Sequence, residues 1–154
     1  MNNINYLKDI LNKFIDFYDE LLKIVQEERK CLVNIDADGL EDITSKKQVF
    51  FNEIAKTQKK LKEFLDKFGF ETINEFLFFA SRDIDVDDLR VLNGKLQEKL
   101  KEFKIKSEIN RMIATEHLSF FGSLLNLYGG LLSGENYNKQ AQKNINTQLM
   151  NLRV

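Results

Sequence analysis

Residues 4–32 read INYLKDILNKFIDFYDELLKIVQEERKCL. Apolar side chains fall at Ile4, Leu7, Leu11, Phe14, Tyr18, Leu21, Val25 and Leu32, alternately three and four apart, and only Glu28 breaks the series. That spacing is the seam of a heptad-patterned helix. Ile10, Ile15, Phe17, Leu22 and Ile24 widen the stripe beyond what a two-stranded coiled coil buries, so this helix meets more than one neighbour. The stretch predicts a helical bundle rather than a dimeric rod.

Working outward, NIDADGLED at 34–42 resets the pattern. Asp36 or Asp38 can cap a new helix, with Glu41 and Asp42 placed favourably in its first turn. The seam resumes at Leu40, Ile43, Phe50, Ile54, Leu61, Phe64 and Phe68, with Lys47 and Thr57 as polar members of the same register. Two helices of about thirty residues, each about 45 Å long, would pair antiparallel across so short a joint. Gly69 offers a stop for the second. Thr72 with Glu75 forms a capping-box pattern opening INEFLFFASR, read as a short helix wedged across the bundle end. Asp85 caps the last long helix, with Asp87 and Asp88 in its first turn. Its core positions are read as Leu89, Leu92, Leu96, Leu100, Phe103, Ile109, Ile113, Phe120, Leu124, Leu127 and Leu131, whose four-residue steps imply local unwinding from a strict heptad. Continuous to Leu132, it would be about 70 Å long. Part of it must then overhang, bend or pack against something else.

The chain lacks proline altogether, so nothing interrupts long helices. From Ser133 the composition turns polar and rich in Asn and Gln, SGENYNKQAQKNINTQLMNLRV, with Ala141, Ile145, Leu149 and Leu152 four, four and three apart. About fifteen such residues are marginal as a helix in water and stay mobile until a partner orders them. The expectation is an all-α fold, an antiparallel bundle of three long helices plus a short helix, with a flexible amphipathic C-terminal tail. Residues 1–132 form the bundle domain and 133–154 the tail.

Between Glu116 and Glu135 no residue carries a formal charge, although 31% of the chain is charged. The segment is HLSFFGSLLNLYGGLLSG. An apolar helix end leading into a tail without a core of its own suggests a docking surface for another chain. Ser119, Gly122, Ser123, Asn126, Gly129, Gly130 and Ser133 dilute it below a membrane-spanning run, so no stable membrane insertion is expected. Lys8 and Asp9 stand where a signal peptide would need an unbroken apolar stretch, which favours a cytoplasmic protein.

Basic and acidic residues nearly cancel, 23 against 24, and the lysine-rich stretches at 59–67 and 95–106 are interleaved with Glu63, Asp66, Glu98 and Glu102. They read as solvent faces, and no nucleic-acid partner is expected. The one cysteine, Cys31, cannot form an internal disulfide and sits in a helical pattern as a packed thiol. The one histidine, His117, follows Ala114 at the position where a di-iron bundle needs Glu, so that site fails. No phosphate-loop, Cys-x-x-Cys or nucleophile-elbow pattern occurs. No metal, cofactor or enzymatic activity is expected.

The chain resembles the FlgN family of flagellar type III export chaperones over nearly its whole length. The resemblance rests on the seam of the first helix, the Asp-rich joint NIDADGLEDITSKK, the long last helix with Asn110, its end at Leu124, Leu127, Tyr128 and Leu131, Tyr137 in the tail, and the closing LMNLRV. It implies a cytoplasmic, non-enzymatic chaperone that holds the C-terminal helical segments of hook-associated, hook-filament junction proteins and works with the export apparatus. It also implies that the C-terminal region binds substrate, through Phe120, Leu124, Leu127, Tyr128 and Leu131 on the helix and Tyr137, Ala141, Ile145, Leu149 and Leu152 in the tail. Where many relatives have glycine after the tail tyrosine, this chain has Asn138, Lys139, Gln140 and Ala141. A monomer or weak homodimer is expected. Two other readings stay open: a self-associating helical structural or adaptor protein, and a chaperone for another flagellar export client.

Overall fold

The first seam folds as helix α1, Asn2–Asn34, in a computed structural model that describes residues 2–80 and 86–132, with side chains for 3–80 and 86–128. The helix ends because Ile35 turns into the left-handed region, φ 54°. Its N–H donates to Leu32 O and that of Asp36 to Cys31 O at 2.9 Å, which satisfies carbonyls the helix leaves open. Asp36 then caps α2, Ala37–Phe68, by accepting from Gly39 N at 3.0 Å. A Cβ at Gly39 would lie 2.4 Å from Asp36 Oδ2 and 2.8 Å from Cys31 Sγ, so a larger residue there would have to displace the capping carboxylate.

The other end of α2 repeats the motif with the residue chemistry prefers. Gly69 takes φ 76°, and its N–H and that of Phe70 close onto Asp66 O and Leu65 O. Thr72 Oγ1 accepts from Glu75 N at 3.1 Å and opens α3, Ile73–Ala80. The Glu75 carboxylate reaches back one residue further than a capping box requires, to Glu71 N. Phe76 and Leu77 of α3 are buried, and Phe76 meets Phe64, Phe68 and Phe70 edge-on. Asp85, the expected cap of the last helix, lies outside the described residues. That helix, α4, runs Asp87–Leu132 with Asp87 and Asp88 in its first turn. All four described elements are helices.

The chain divides into two units, residues 1–110 and 111–154. In the first, α1 and α2 are antiparallel, as Phe17 against Phe50 and Tyr6 against Phe64 record. The 87–110 part of α4 runs parallel to α1. Its bonded pairs, Lys8 with Asp88, Asp19 with Lys99 and Arg29 with Asn110, are 80 or 81 residues apart. In unit 1 the three long segments thus alternate in direction, as an up-down-up bundle requires. Leu7, Leu11, Leu21 and Val25 of α1 and Leu89 of α4 are wholly buried at its centre.

The α4 core departs from the sequence reading in its polar members. Ile109 is exposed, whereas Asn93 and Asn110 are buried. The inward line is Leu89, Asn93, Leu96, Leu100, Phe103, Ser107 and Asn110, which alternates four and three without a break. An unbroken heptad needs no local unwinding. Asn110, 2% exposed, ties the helices together. Its Nδ2 donates to Val25 O and Glu28 Oε2, both at 2.8 Å, and its Oδ1 accepts from Arg29 Nε at 2.9 Å. Glu28 in turn accepts from Lys47 of α2 at 2.8 Å. Glu28, Lys47 and Asn110 are polar members of three apolar seams, and they meet at one point.

Candidate partner-binding surface

The second unit's described part is the α4 segment from Arg111 to Leu132. Here the amphipathic pattern changes character. Phe120, Phe121, Leu125, Leu127 and Tyr128 are all exposed, Leu127 to 66%. Leu124, His117 and Ala114 are half-buried. With about 100° per residue, the apolar positions from Leu127 round to Leu125 span an arc of roughly 160°, wider than the stripe of an ordinary surface helix.

The remaining face is small and polar. Thr115, Ser119 and Ser123 succeed one another at four-residue steps. Thr115 Oγ1 donates to Arg111 O and Ser123 Oγ to Ser119 O, at 2.8 and 2.9 Å. These hydroxyls are satisfied on their own helix and make no demand on a partner. A shallow depression follows this face, lined by Arg111, Met112, Thr115, Glu116, Ser119, Phe120 and Ser123. It is the surface of a single helix and offers a small molecule no enclosure. The segment can therefore exclude water from another apolar surface.

Of the expected binding residues, Phe120, Leu127 and Tyr128 are exposed on one arc, with Leu124 half-buried between them. Phe120 and Leu127 were also read as core, and their exposure corrects that. The Leu131 side chain and Tyr137, Ala141, Ile145, Leu149 and Leu152 lie outside the described residues. Phe121 and Leu125 belong to the same arc and were missed. A three-and-four template selects one stripe, while the absence of charge over the whole segment was the signal for both.

Other chemistry finds little support. Burial, with Asp36 beside it, pushes the Cys31 thiol above its ordinary pKa, which lowers its thiolate fraction at neutral pH. The Lys8 ammonium, 2.6 Å from Asp88, holds that carboxyl below the usual range. It is a structural ion pair between α1 and α4. Among the described residues no group of three or more acidic, His or Cys side chains could hold a metal, and no helix is long and apolar enough to cross a membrane.

The family model described as FlgN protein matches residues 1–145. The chain belongs to the FlgN family. A FlgN protein is a flagellar export chaperone, and the match takes in every described helix of both units. No curated protein and no solved structure matches the chain. In this FlgN chain the exposed apolar arc of α4 and part of the 133–154 segment fall inside the matched range.

Proposed function

We propose that this FlgN-family chain binds the C-terminal helical segments of hook-associated proteins in the cytoplasm, keeps them from assembling early and hands them to the export apparatus. The observation that carries the reading is the broad, charge-free arc on α4, with Phe120, Phe121, Leu127 and Tyr128 exposed. A client whose own assembly helix is amphipathic has a matching apolar stripe to cover. Covering one large apolar side chain contributes about 1.5–3 kcal/mol, while association costs about 4–15 kcal/mol. A handful of such residues therefore gives a hold that can be released, and release is part of export. Residues 133–154 add contacts along the client through Ala141, Ile145, Leu149 and Leu152, spaced four, four and three apart. The role is one of binding, without catalysis.

Calorimetric titration of peptides from C-terminal helices of hook-associated proteins tests this, with full-length protein and a 1–132 truncation. The expected result is binding near micromolar or tighter that weakens at least tenfold on truncation. No heat with any client, from a protein that sediments as a stable oligomer, would replace the reading with a self-associating adaptor.

A further inference from the structure

In unit 1 the inward line of α4 is shared by two helices. Phe103 at its middle has Tyr18 of α1 on one side and Phe51 of α2 on another, with ring centroids 5.6 and 6.3 Å apart. The same heptad phase continues beyond Asn110, through His117, Leu124 and Leu131. What changes is its flank. Lys99 and Lys106 border the line on the α1 side, Lys99 donating to Asp19 and the Lys106 carbonyl accepting from Arg29. The same heptad position further along is Ile113, Phe120 and Leu127. On the other side of the Phe103 and Asn110 positions, Leu100 and Ser107, themselves members of the inward line, give way to Ala114, Phe121 and Tyr128 at the same heptad position. Both flanks are apolar in unit 2, where among the described residues no second helix is present.

We propose that the client docks on this segment as two helices, one on each flank of the His117, Leu124 and Leu131 line, repeating the packing that α1 and α2 make in unit 1. The inference rests on the chaperone reading above and specifies its partner: a pair of amphipathic helices from one client molecule. An arc of roughly 160° is more than one helix covers, since a single neighbour occupies only the narrow seam of a coiled coil. A second copy offering its own α4 segment would fill one flank and leave the other wet. In residues 133–154 the apolar positions Ala141, Ile145, Leu149 and Leu152 form a single series by spacing, which matches one flank and not two.

The test compares one-helix and two-helix fragments from the C-terminal region of the same hook-associated protein, titrated into full-length protein. Leu127→Asp probes one flank, Phe121→Asp the other, and Ser119→Asp places the same charge on the hydroxyl face. Each variant is first checked for unchanged helical circular dichroism. The two-helix fragment should bind at least tenfold tighter than either helix alone. Both flank variants should lose at least tenfold, and Ser119→Asp should stay within twofold. Equal affinity for one helix and two, or sensitivity on one flank only, overturns the two-helix mode and leaves the chaperone reading standing. Equal losses in all three variants overturn it too, by showing a contact without helical register. A client-free dimer broken by both flank variants would assign the arc to a second copy. If no fragment binds the unaltered protein, the chaperone reading itself fails.

Discussion

Ile35 and Gly69 do the same work at opposite ends of α2, and only one of them suits it. Each stands just past a helix end with positive φ, 54° and 76°, while the next N–H closes back on the helix. Gly69 adopts that conformation freely. Ile35 is β-branched, so its Cβ crowds the backbone at a cost of roughly 1–2 kcal/mol. Its side chain is 59% exposed and recovers little by packing. Ile35→Gly should therefore raise stability by about 0.5–1 kcal/mol, after allowing for the greater freedom glycine gives the unfolded chain. Gly69→Ile should lower it by about 1–2 kcal/mol. Urea denaturation of both variants against the parent checks the pair, and a loss on Ile35→Gly would show that the exposed isoleucine makes contacts that offset its strain. The stop at Gly69 was legible because glycine announces a left-handed residue. The left-handed stop at Ile35 was not, because nothing in its chemistry points to one. The joint itself was legible, with Asp36 or Asp38 as its cap, and Asp36 is the one that accepts from Gly39 N.

At the scale of the element, α4 shows why a pattern of apolar residues finds a helix more easily than its inward face. Its core line passes through Asn93, Ser107 and Asn110, which a search for apolar periodicity skips in favour of neighbours such as Ile109. The α1 and α2 seams were read almost residue for residue, since their polar members were single interruptions of long apolar runs. Glu28 and Lys47 looked like defects there, and they pair with each other in the bundle. Asn110 completes the group from α4, fixing how far that helix slides along α1, the role buried polar residues take in coiled coils. Asn110→Ala would strip a partner from Glu28, Arg29 and Val25 O together, at a cost of about 2 kcal/mol. Glu28→Gln alone should cost less, because the amide still accepts from Lys47. A double-mutant cycle between the two sites should return a coupling of about 1 kcal/mol. Strict additivity would mean that the bonds between them contribute nothing.

For the whole molecule, the buried core and the arc proposed to bind a client occupy different stretches of chain. Every buried apolar residue described, from Leu7 to Leu96, lies in the first unit, as do the three-helix polar tie and the ion pairs joining α1 to α4. The exposed apolar arc lies wholly in the second. An exposed side chain gives little to folding, because its apolar area is in water both before and after. The division follows from the charge pattern. Beside the α4 core line Lys99 pairs with Asp19 of α1 and Lys106 with Glu102 of its own helix, whereas the same heptad position further along carries Phe120 and Leu127. Removing residues 133–154 should accordingly leave the melting temperature within about 2 °C of the parent. Leu127→Asp in the full chain should do the same, since a loss of 1 kcal/mol would already shift a chain of this size by about 2–4 °C. Scanning both by circular dichroism alongside Leu11→Ala provides the contrast. That substitution empties a wholly buried site and should cost about 2–5 kcal/mol, a shift well outside the range allowed for the other two. A truncated chain that melted as early as Leu11→Ala would place residues 133–154 in the fold itself, and the arc on α4 would then be their seat rather than a client's.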